Sequence, residues 1–331
     1  MLSRVADSLY WMSRYLERAE HTTRILDVNL NLMLDEGPAS ADRRWQRVLL
    51  ALGKPKHVTW TGNPYALTRC LTFDTANKAS ILACLIAARE NSRNVREQIS
   101  TEMWARLNSL YLQITRPEMH SDMHAEALLP EAEPTEFLGQ VMEAVHQFQG
   151  VTDSTMSHGE GWQFIQVGRF IERASATAML LEAFYPDLFR EDHSPEHDLP
   201  EPNEYLDWMG LLRSATAFEA YCKVYTADLT PEWILEFLLL DAEFPHSLRF
   251  AIDSLQRALD AIQGESGKLR AEPLRRRAGR LQAALSYSSI DEILASDVLA
   301  YLANIKVECR AIHETIYELY VDYSIQSALA G

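Results

Sequence analysis

The chain has 331 residues, and its 47 acidic side chains outnumber its 31 Lys and Arg residues, which gives a net charge of −16. A protein that binds nucleic acid needs a basic surface, so this acidic excess argues against a nucleic-acid partner. The hydrophobic fraction of 47% and the charged fraction of 24% are typical of a folded globular protein. With 13 Gly and 13 Pro, the chain holds few helix breakers, which favours an all-α fold.

The sequence contains no pattern that predicts export or membrane insertion. Its N-terminal residues lack the continuous apolar stretch of a signal peptide, and no apolar run approaches the ~18 residues that span a bilayer. The four cysteines, at positions 70, 84, 222 and 309, are scattered and form no CxxC motif. These features predict reduced thiols in a cytoplasmic protein that has no membrane partner.

Hydrophobic residues recur at steps of three and four along most of the chain, which is the period of one helix face. With its Gly and Pro stops, this pattern predicts helices at residues 2–35, 42–52, 75–99, 101–116, 136–149, 162–183, 203–225, 231–240, 245–263, 269–287 and 290–327. The predicted loops are residues 54–64, 117–134 and 187–202, of which the last is the clearest linker. Strict apolar–polar alternation does not persist between turn signals, so we expect essentially no strand.

Two parts of the chain carry the same motifs in the same order. Residues 14–19 (RYLERA) match residues 169–174 (RFIERA) in type at every position. A tryptophan followed by paired leucines comes next in both parts, and a Leu-rich element that ends in aspartate comes third. Three ordered matches predict an internal duplication. We expect a first alpha-helical copy at residues 1–150 and a second at residues 151–331, packed about a pseudo-two-fold axis into one unit.

The matched Glu-Arg elements place charge on a helix that is expected to be buried. On a helical wheel of residues 162–183, apolar side chains surround the helix, which predicts a central position in the fold. Buried charges have to be paired, or they cost several kcal/mol. The sequence therefore predicts an ion network at these elements.

The candidate pairs follow from helix spacing. Arg169 and Glu172 are three residues apart, so they can pair within one helix. Arg173 points elsewhere and needs a carboxylate from another element. The candidate partners of Arg173 are Glu17, Asp74 and Asp241. The whole candidate network is Arg14, Glu17, Arg18, Asp74, Arg169, Glu172, Arg173 and Asp241.

The sequence is compatible with three interpretations of this network. The first is a structural ion network that orients the two copies. The second is an anion or carboxylate site lined by arginine forks. The third is a general acid or base at Glu17 or Glu172, since burial raises the pKa of a carboxylate, although two flanking arginines oppose this.

A second charged element lies at residues 88–97. Arg89, Arg93, Arg96 and Glu97 share one helix face at steps of three and four, and Glu90 belongs to the same run. The pattern is typical of a solvated, salt-bridged face. The alternative is an anion- or partner-binding surface formed by Arg89, Glu90, Arg93 and Arg96. The corresponding part of the second copy lacks the run, which favours a role carried out once per chain.

No motif in the chain predicts a cofactor or a metal. His120 and His124, like His193 and His197, are four residues apart, but both pairs lie in Pro-interrupted loops where this spacing loses its helical meaning. The sequence also contains no P-loop, no GxSxG and no GxGxxG motif. We therefore expect neither a cofactor nor a metal site.

The Glu-Arg elements at residues 14–20 and 168–174 closely resemble those of the alpha-E domain family. The opening residues 2–11, the charged run at 88–96 and residues 237–247 are similar to the family as well, so the resemblance extends over essentially the whole chain. It implies an all-helical protein encoded beside, or fused to, a circularly permuted ATP-grasp ligase, often with a transglutaminase-like protein nearby. Such systems, as the resemblance implies, make or modify peptides by amide-bond formation.

These observations lead to one functional hypothesis and two alternatives. The resemblance and the missing catalytic motifs predict a non-catalytic accessory partner of a circularly permuted ATP-grasp ligase. One alternative is an enzyme or binding module that uses a Glu-Arg lined cavity for a carboxylate-bearing substrate. The other is a homo-oligomeric helical scaffold. A dry, fully paired Glu-Arg network without an adjoining cavity would contradict the first alternative.

Overall fold

The computed structural model describes residues 1–33, 38–115, 133–189, 202–226, 228–266 and 272–321. In these ranges the chain consists of fourteen α-helices and one short π-helix, without a β-strand, so the prediction of an all-α fold is confirmed. The elements are α1 (Ser3–Leu32), α2 (Pro38–Ala51), α3 (Pro64–Phe73), α4 (Ile81–Asn94), α5 (Thr101–Ile114), α6 (Glu133–Thr155), α7 (Glu160–Leu188), α8 (Pro202–Ser214), α9 (Phe218–Tyr225), α10 (Pro231–Leu240), α11 (Leu248–Ser266), α12 (Glu272–Tyr287), α13 (Ile290–Leu294), α14 (Val298–Ile316) and the π-helix (Tyr317–Val321).

Side-chain caps fix where several helices begin. Each capping side chain accepts a hydrogen bond from a backbone N–H of the first turn, which satisfies a donor that has no partner inside the helix. At α13, Ser289 and Glu292 form a reciprocal capping box. The caps of this kind are Asn63, Ser80, Ser100, Ser289 and Asp297.

One predicted helix is two helices in the structure. The helix expected at residues 203–225 ends at Ser214, and a new helix starts at Phe218. Between them Thr216 adopts a left-handed conformation with a φ of 55°, and the Ala217 N–H donates to the carbonyl five residues earlier, as in a Schellman cap. Glycine usually occupies that position, so a threonine gives no stop signal in the sequence. The prediction of one continuous helix was wrong for this reason.

Other helix boundaries also differ from the prediction. The helix expected at 75–99 spans only Ile81–Asn94, because residues 74–80 form turns that lead to the Ser80 cap. The last predicted helix, 290–327, is interrupted after Leu294 because Asp297 caps a new first turn. The structure also adds α3, which the hydrophobic pattern did not predict. Most of the predicted loops 117–134 and 187–202 lies outside the described residues.

The two longest helices, α1 and α7, pack against each other at the centre of the fold. α1 also contacts α4 and α6, while α7 also contacts α2, α11 and α14. Gly168 makes the close approach possible, since an added Cβ would lie 2.3 Å from the Tyr10 carbonyl oxygen and 2.2 Å from Ser13 Oγ. A single hydrophobic core surrounds the pair and includes residues from both halves of the chain.

The central helices carry the elements from which the duplication was predicted, one from each half of the chain. The duplication and its boundaries at residues 1–150 and 151–331 stay predictions. None of the helices in the described ranges is long and apolar enough to cross a membrane.

Candidate functional site

Two carboxylates and four arginines meet between α1 and α7. The side chains of Glu17 and Glu172 are only 4% and 9% exposed, so both carboxylates are removed from bulk water. The central packing of α1 on α7 brings them together, since each helix presents its Glu-Arg element to the other. The four arginines are Arg14, Arg18, Arg169 and Arg173.

Glu172 on α7 binds two arginines of α1. Arg14 Nε donates to Glu172 Oε2 at 2.7 Å, and Arg18 Nε donates to Glu172 Oε1 at 2.6 Å. Burial by itself would raise the pKa of Glu172, but the charges of these arginines and their hydrogen bonds outweigh it and lower the pKa to about 2. Glu172 is therefore a permanent anion at neutral pH.

Glu17 on α1 binds arginines of α7 in return. Arg173 donates to both carboxylate oxygens of Glu17, from Nε at 2.5 Å and from Nη2 at 2.9 Å. Its remaining terminal nitrogen, Nη1, donates to the Pro245 carbonyl at 3.1 Å. Arg169 lies within 3.8 Å of Glu17 and donates to the Gln149 side chain at 2.9 Å. Every nitrogen of the Arg173 guanidinium thus has an acceptor.

The structure therefore pairs the candidates across the two helices. The pair expected within one helix, Arg169 with Glu172, does not form, because Glu172 turns toward α1 and Arg169 toward Glu17 and Gln149. Of the three carboxylates considered for Arg173, Glu17 is the one that binds it.

Asp74 and Asp241 lie outside this network. Each follows the last residue of a helix and accepts backbone N–H groups of the next turn: Asp74 Oδ1 accepts from Ala76, and Asp241 Oδ1 accepts from Glu243 and Phe244. Turns of this kind are a common use of aspartate after a helix. The two residues therefore hold turns in the structure and do not pair with the arginines.

The Glu17 end of the network extends to residues that the sequence reasoning missed. Glu20, which is 3% exposed, accepts hydrogen bonds from His146 at 3.0 Å and from Gln149 at 3.1 Å, both on α6. Arg24 lies 3.3 Å from the same carboxylate. Burial opposes ionisation of Glu20, but the His146 hydrogen bond and the charge of Arg173 lower its pKa below the ordinary value. The sequence signal was weak, because His146 and Gln149 belong to no matched motif.

The Glu172 end extends to the C-terminal helix. Arg14 Nη1 donates to the Tyr10 hydroxyl at 3.2 Å, and that hydroxyl lies 2.8 Å from Nδ1 of His313 on α14. Burial raises the pKa of Tyr10 to about 12. The Arg14 guanidinium also lies 4.7 Å from the Trp11 ring centroid. Arg14 therefore uses Nε and Nη1 in hydrogen bonds.

A cavity of about 270 Å³ adjoins the Glu172 end. Its wall contains Arg18, whose side chain is 29% exposed, so the cavity can be reached from solvent. Arg18 uses Nε on Glu172 and lies with its guanidinium 5.8 Å from the Tyr15 ring centroid, while Nη1 and Nη2 make no hydrogen bond within the described part of the chain. The lining residues are Arg14, Arg18, His21, Thr22, Leu52, Pro55, Leu71, Ala79, Glu172, Ser175, Ala176 and Met179.

The opposite end of the network leaves very little space. The cavity beside Glu17, Glu20 and Arg173 has a volume of about 10 Å³, which is room for about one water molecule. The two ends therefore differ in a way that the matched motifs do not predict. At the Glu17 end, protein groups fill the space around the arginines. At the Glu172 end, the terminal nitrogens of Arg18 lie beside the larger cavity.

His21 lies between these two cavities and lines both of them. Its Nε2 is buried and makes no hydrogen bond within the described residues. Burial outweighs the nearby carboxylates and lowers the pKa of His21 to about 4. The imidazole is therefore neutral at pH 7 and offers one donor and one acceptor nitrogen.

The second candidate element, at residues 88–97, is a packed arginine–aromatic cluster. Arg89 donates to Asn108 at 3.0 Å and lies 4.2 Å from the Tyr111 ring centroid. Glu90 binds Arg89 and Arg93, at 3.1 and 2.7 Å.

Arg96 lies beyond the end of α4, so the three arginines do not share one helix face as predicted. The terminal nitrogens of Arg96 donate hydrogen bonds to the Ile99 carbonyl and to the Thr101 hydroxyl. The side chains of this element are thus satisfied mainly by their neighbours.

Within the described ranges, no three His, Cys, Asp or Glu side chains lie close enough together to hold a metal ion. The spaced histidines His120, His124, His193 and His197 lie outside the described residues.

The fold and the site together define a class of all-helical protein whose two central helices exchange glutamate–arginine pairs. The chain belongs to the Alpha-E family, described as a predicted alpha-helical domain with a conserved ER motif, and the match covers residues 1–321. The expected family is thereby confirmed. Glu-Arg pairs occur in this sequence at Glu17-Arg18 and Glu172-Arg173, and these residues belong to the central network.

Curated relatives include uncharacterized proteins of Mycobacterium bovis and Mycobacterium tuberculosis. Both are 25% identical to this chain over 287 residues, which cover 81% of this chain but 31% of the relative. The chain thus corresponds to about a third of the length of these relatives. No solved structure shows a significant match to the chain.

Proposed function

We propose that the chain is a binding module and that the cavity beside Glu172 holds a molecule with a carboxylate group. The observation that carries the proposal is Arg18: Glu172 fixes it through Nε, and its two terminal nitrogens have no hydrogen-bond partner within the described residues. The Nη edge of a guanidinium matches the two oxygens of a carboxylate. A cavity of about 270 Å³ beside this edge provides the space for such a ligand.

The charge balance of the cavity favours one negative charge on the ligand. Arg14 and Arg18 contribute two positive charges, Glu172 contributes one negative charge, and His21 is neutral at pH 7 because its pKa is lowered to about 4. A bound carboxylate would neutralise the remaining positive charge. Since buried charges are stable only when they are compensated, a monoanion fits this site better than a neutral molecule.

At Glu172 the electrostatics support binding in preference to acid–base chemistry. A general base works best when its pKa lies near the operating pH. The pKa of Glu172 is held at about 2 by two arginines, and both of its oxygens already accept hydrogen bonds from them. Glu172 therefore serves to orient Arg14 and Arg18.

Calorimetric titration with small carboxylates, such as N-acetyl-L-leucine and acetate, tests this proposal. We expect Arg18→Gln to weaken binding at least about tenfold, because one charge-assisted pair is lost. Arg106→Gln, at an exposed arginine on α5, is the matched control and should bind like the wild type. Thermal unfolding of each variant shows that it is folded. Equal affinity of Arg18→Gln and wild type, or no binding of any carboxylate by the wild type, contradicts the proposal.

A second proposal concerns the partner. We propose that the chain is an accessory, non-catalytic partner of a circularly permuted ATP-grasp ligase that forms amide bonds, in the cytoplasm. The resemblance of its Glu-Arg elements to the family supports this. So does the length of the mycobacterial relatives, in which the matching region is joined to about twice as much additional sequence. A transglutaminase-like protein is a further candidate partner.

Co-purification of the chain with a neighbouring circularly permuted ATP-grasp ligase tests the second proposal. We expect a stable complex, and we expect nucleotide-dependent amide-bond formation by the ligase to increase when the chain is added. Sedimentation of the chain alone reveals whether it instead forms a homo-oligomeric scaffold. A ligase that does not bind the chain and is fully active without it contradicts this proposal.

A further inference from the structure

The side chains that line the cavity beside Glu172 indicate which chemical groups the ligand has besides its carboxylate. Building on the proposed carboxylate site, we infer that the ligand is an acylated carboxylic acid, either an N-acyl amino acid or a peptide C-terminus with an apolar side chain, and not a free amino acid. The structure points to this class through three features of the described lining, namely its apolar part, its lack of an unpaired carboxylate for an ammonium group, and its neutral polar groups.

The apolar part of the wall lies beside the arginine edge. It consists of side chains from the loop after α2, from α3, from the turn before α4 and from α7. A surface of this kind favours burial of a hydrocarbon group by about 25 cal/mol per Å². The apolar lining residues are Leu52, Pro55, Leu71, Ala79, Ala176 and Met179. The ligand therefore combines a carboxylate with an apolar side chain.

A free ammonium group finds no unpaired carboxylate among the described residues of the cavity wall. Among the described residues that line it, Glu172 is the carboxylate, and both of its oxygens accept hydrogen bonds from arginines. An ammonium group would also lie close to Arg14 and Arg18, and like charges repel strongly where water is partly excluded. An N-acyl or peptidyl group removes this positive charge, so acylation improves the fit.

Neutral polar groups of the lining suit an amide. His21 is neutral, so it adds no charge to the cavity wall that it helps to form. Ser175 Oγ donates to the Ile171 carbonyl at 2.8 Å and also interacts with the Cys309 thiol, so this residue is neutral and already hydrogen-bonded. An amide is likewise uncharged, so it brings no charge that this part of the wall would have to compensate. These residues would leave an ammonium or a second anion uncompensated.

The opposite end of the network shows how an arginine of this motif uses an oxygen acceptor. Arg173 occupies the position of the second Glu-Arg element that Arg18 occupies in the first. Its Nη1 donates to the carbonyl oxygen of Pro245, in the turn before α11. At the Glu172 end no backbone carbonyl of the described residues fills this place, and the cavity opens instead. A ligand oxygen would there complete the hydrogen bonding of Arg18.

The test compares four ligands by calorimetric titration of the full chain: N-acetyl-L-leucine, L-leucine, L-leucinamide and inorganic phosphate. We expect N-acetyl-L-leucine to bind at least about tenfold more tightly than L-leucine, and L-leucinamide and phosphate to bind more weakly still. Ala79→Leu reduces the cavity volume without changing an arginine, so it should also weaken N-acetyl-L-leucine binding. Arg106→Gln should leave this affinity unchanged.

The outcomes separate the inference from the proposed function. If L-leucine binds as tightly as N-acetyl-L-leucine and Arg18→Gln weakens both, the carboxylate site stands and the preference for an acylated ligand is overturned. If phosphate binds most tightly, the ligand class is likewise overturned. If none of the carboxylates binds the wild type, the proposed function itself fails. Unchanged N-acetyl-L-leucine affinity in folded Ala79→Leu contradicts the location of the ligand in the cavity.

Discussion

Arg18 binds Glu172 through Nε alone, at 2.6 Å, and keeps its two terminal nitrogens without a hydrogen bond to the described residues. Arg173, at the matching position of the second motif, encloses Glu17 with two nitrogens and donates a third hydrogen bond to the Pro245 carbonyl. The same motif thus gives an arginine whose nitrogens all have acceptors at the Glu17 end. At the Glu172 end it gives an arginine whose two terminal nitrogens lack a hydrogen bond to the described residues. The proposed ligand site rests on this difference.

The buried carboxylate Glu172 should contribute strongly to stability. Glu172→Gln leaves Arg14 and Arg18 without a negative partner in a poorly hydrated site, so we expect it to lower the free energy of unfolding by about 3 kcal/mol. Urea-induced unfolding followed by circular dichroism measures this loss. The matched control on the same helix is Glu182→Gln, which removes a more exposed ion pair with Lys306 and should cost less than about 1 kcal/mol.

A similar stability loss in the two variants would show that the Glu172 network contributes no more than a surface pair. It would also remove the argument that Glu172 holds Arg18 in place for a ligand.

The same carboxylate should make stability depend on acid pH. The folded-state pKa of Glu172, about 2, lies below its ordinary value of 4.5, so its contribution is complete above pH 4.5 and is lost as the pH falls toward 2. The shift corresponds to about 3 kcal/mol. The stability difference between wild type and Glu172→Gln should therefore shrink through this window. A difference that stays constant from pH 7 to pH 2 contradicts the assigned pKa.

His21 should make the stability of the protein depend on pH in a higher range than Glu172 does. Its folded-state pKa of about 4 lies below the ordinary 6.5, so protons bind the unfolded chain first and stability falls as the pH is lowered from 6.5 to 4. We expect His21→Gln to lose stability less steeply than the wild type in this window. Thermal unfolding at half-unit pH steps provides the comparison, and identical slopes for the two proteins would exclude a buried neutral imidazole.

The close approach of α1 and α7 should depend on Gly168. An added Cβ would lie 2.3 Å from the Tyr10 carbonyl oxygen, which is backbone and cannot rotate away, so Gly168→Ala should destabilise the protein by about 1–3 kcal/mol or more. Gly150→Ala on α6 is the control, because nothing lies within 4 Å of its added Cβ. That change should stabilise by about 0.5–1 kcal/mol through helix propensity. Equal effects at the two positions would contradict the packing of the central helices.

Much of the fold could be predicted from the sequence because helix periodicity is a local signal. The long central helices and most of the amphipathic ones appear in the hydrophobic pattern of the chain. The errors come from backbone features without a residue signature. Thr216 takes a left-handed conformation that sequence rules assign to glycine, and Asp297 caps a turn inside an apparently continuous helix.

The candidate site was predictable only in part. The motifs identified Arg14, Glu17, Arg18, Glu172 and Arg173, because charges on an otherwise apolar helix have to be paired. Which carboxylate binds which arginine depends on how α1 and α7 are set against each other, and sequence spacing does not contain that information. For the same reason Asp74 and Asp241 were assigned to the network, and Glu20, His146 and Gln149 were missed.

A crystal structure of the chain grown with saturating N-acetyl-L-leucine would show directly whether the cavity beside Glu172 binds an acylated carboxylic acid. We expect electron density for the ligand in the cavity beside Glu172, with a carboxylate oxygen within about 3 Å of Arg18 Nη1 or Nη2 and the leucine side chain against Leu71 and Met179. Glu172 should keep its hydrogen bonds to both arginines. An empty cavity under conditions in which calorimetry shows the ligand to be bound, or density for the ligand at another surface, would contradict the account.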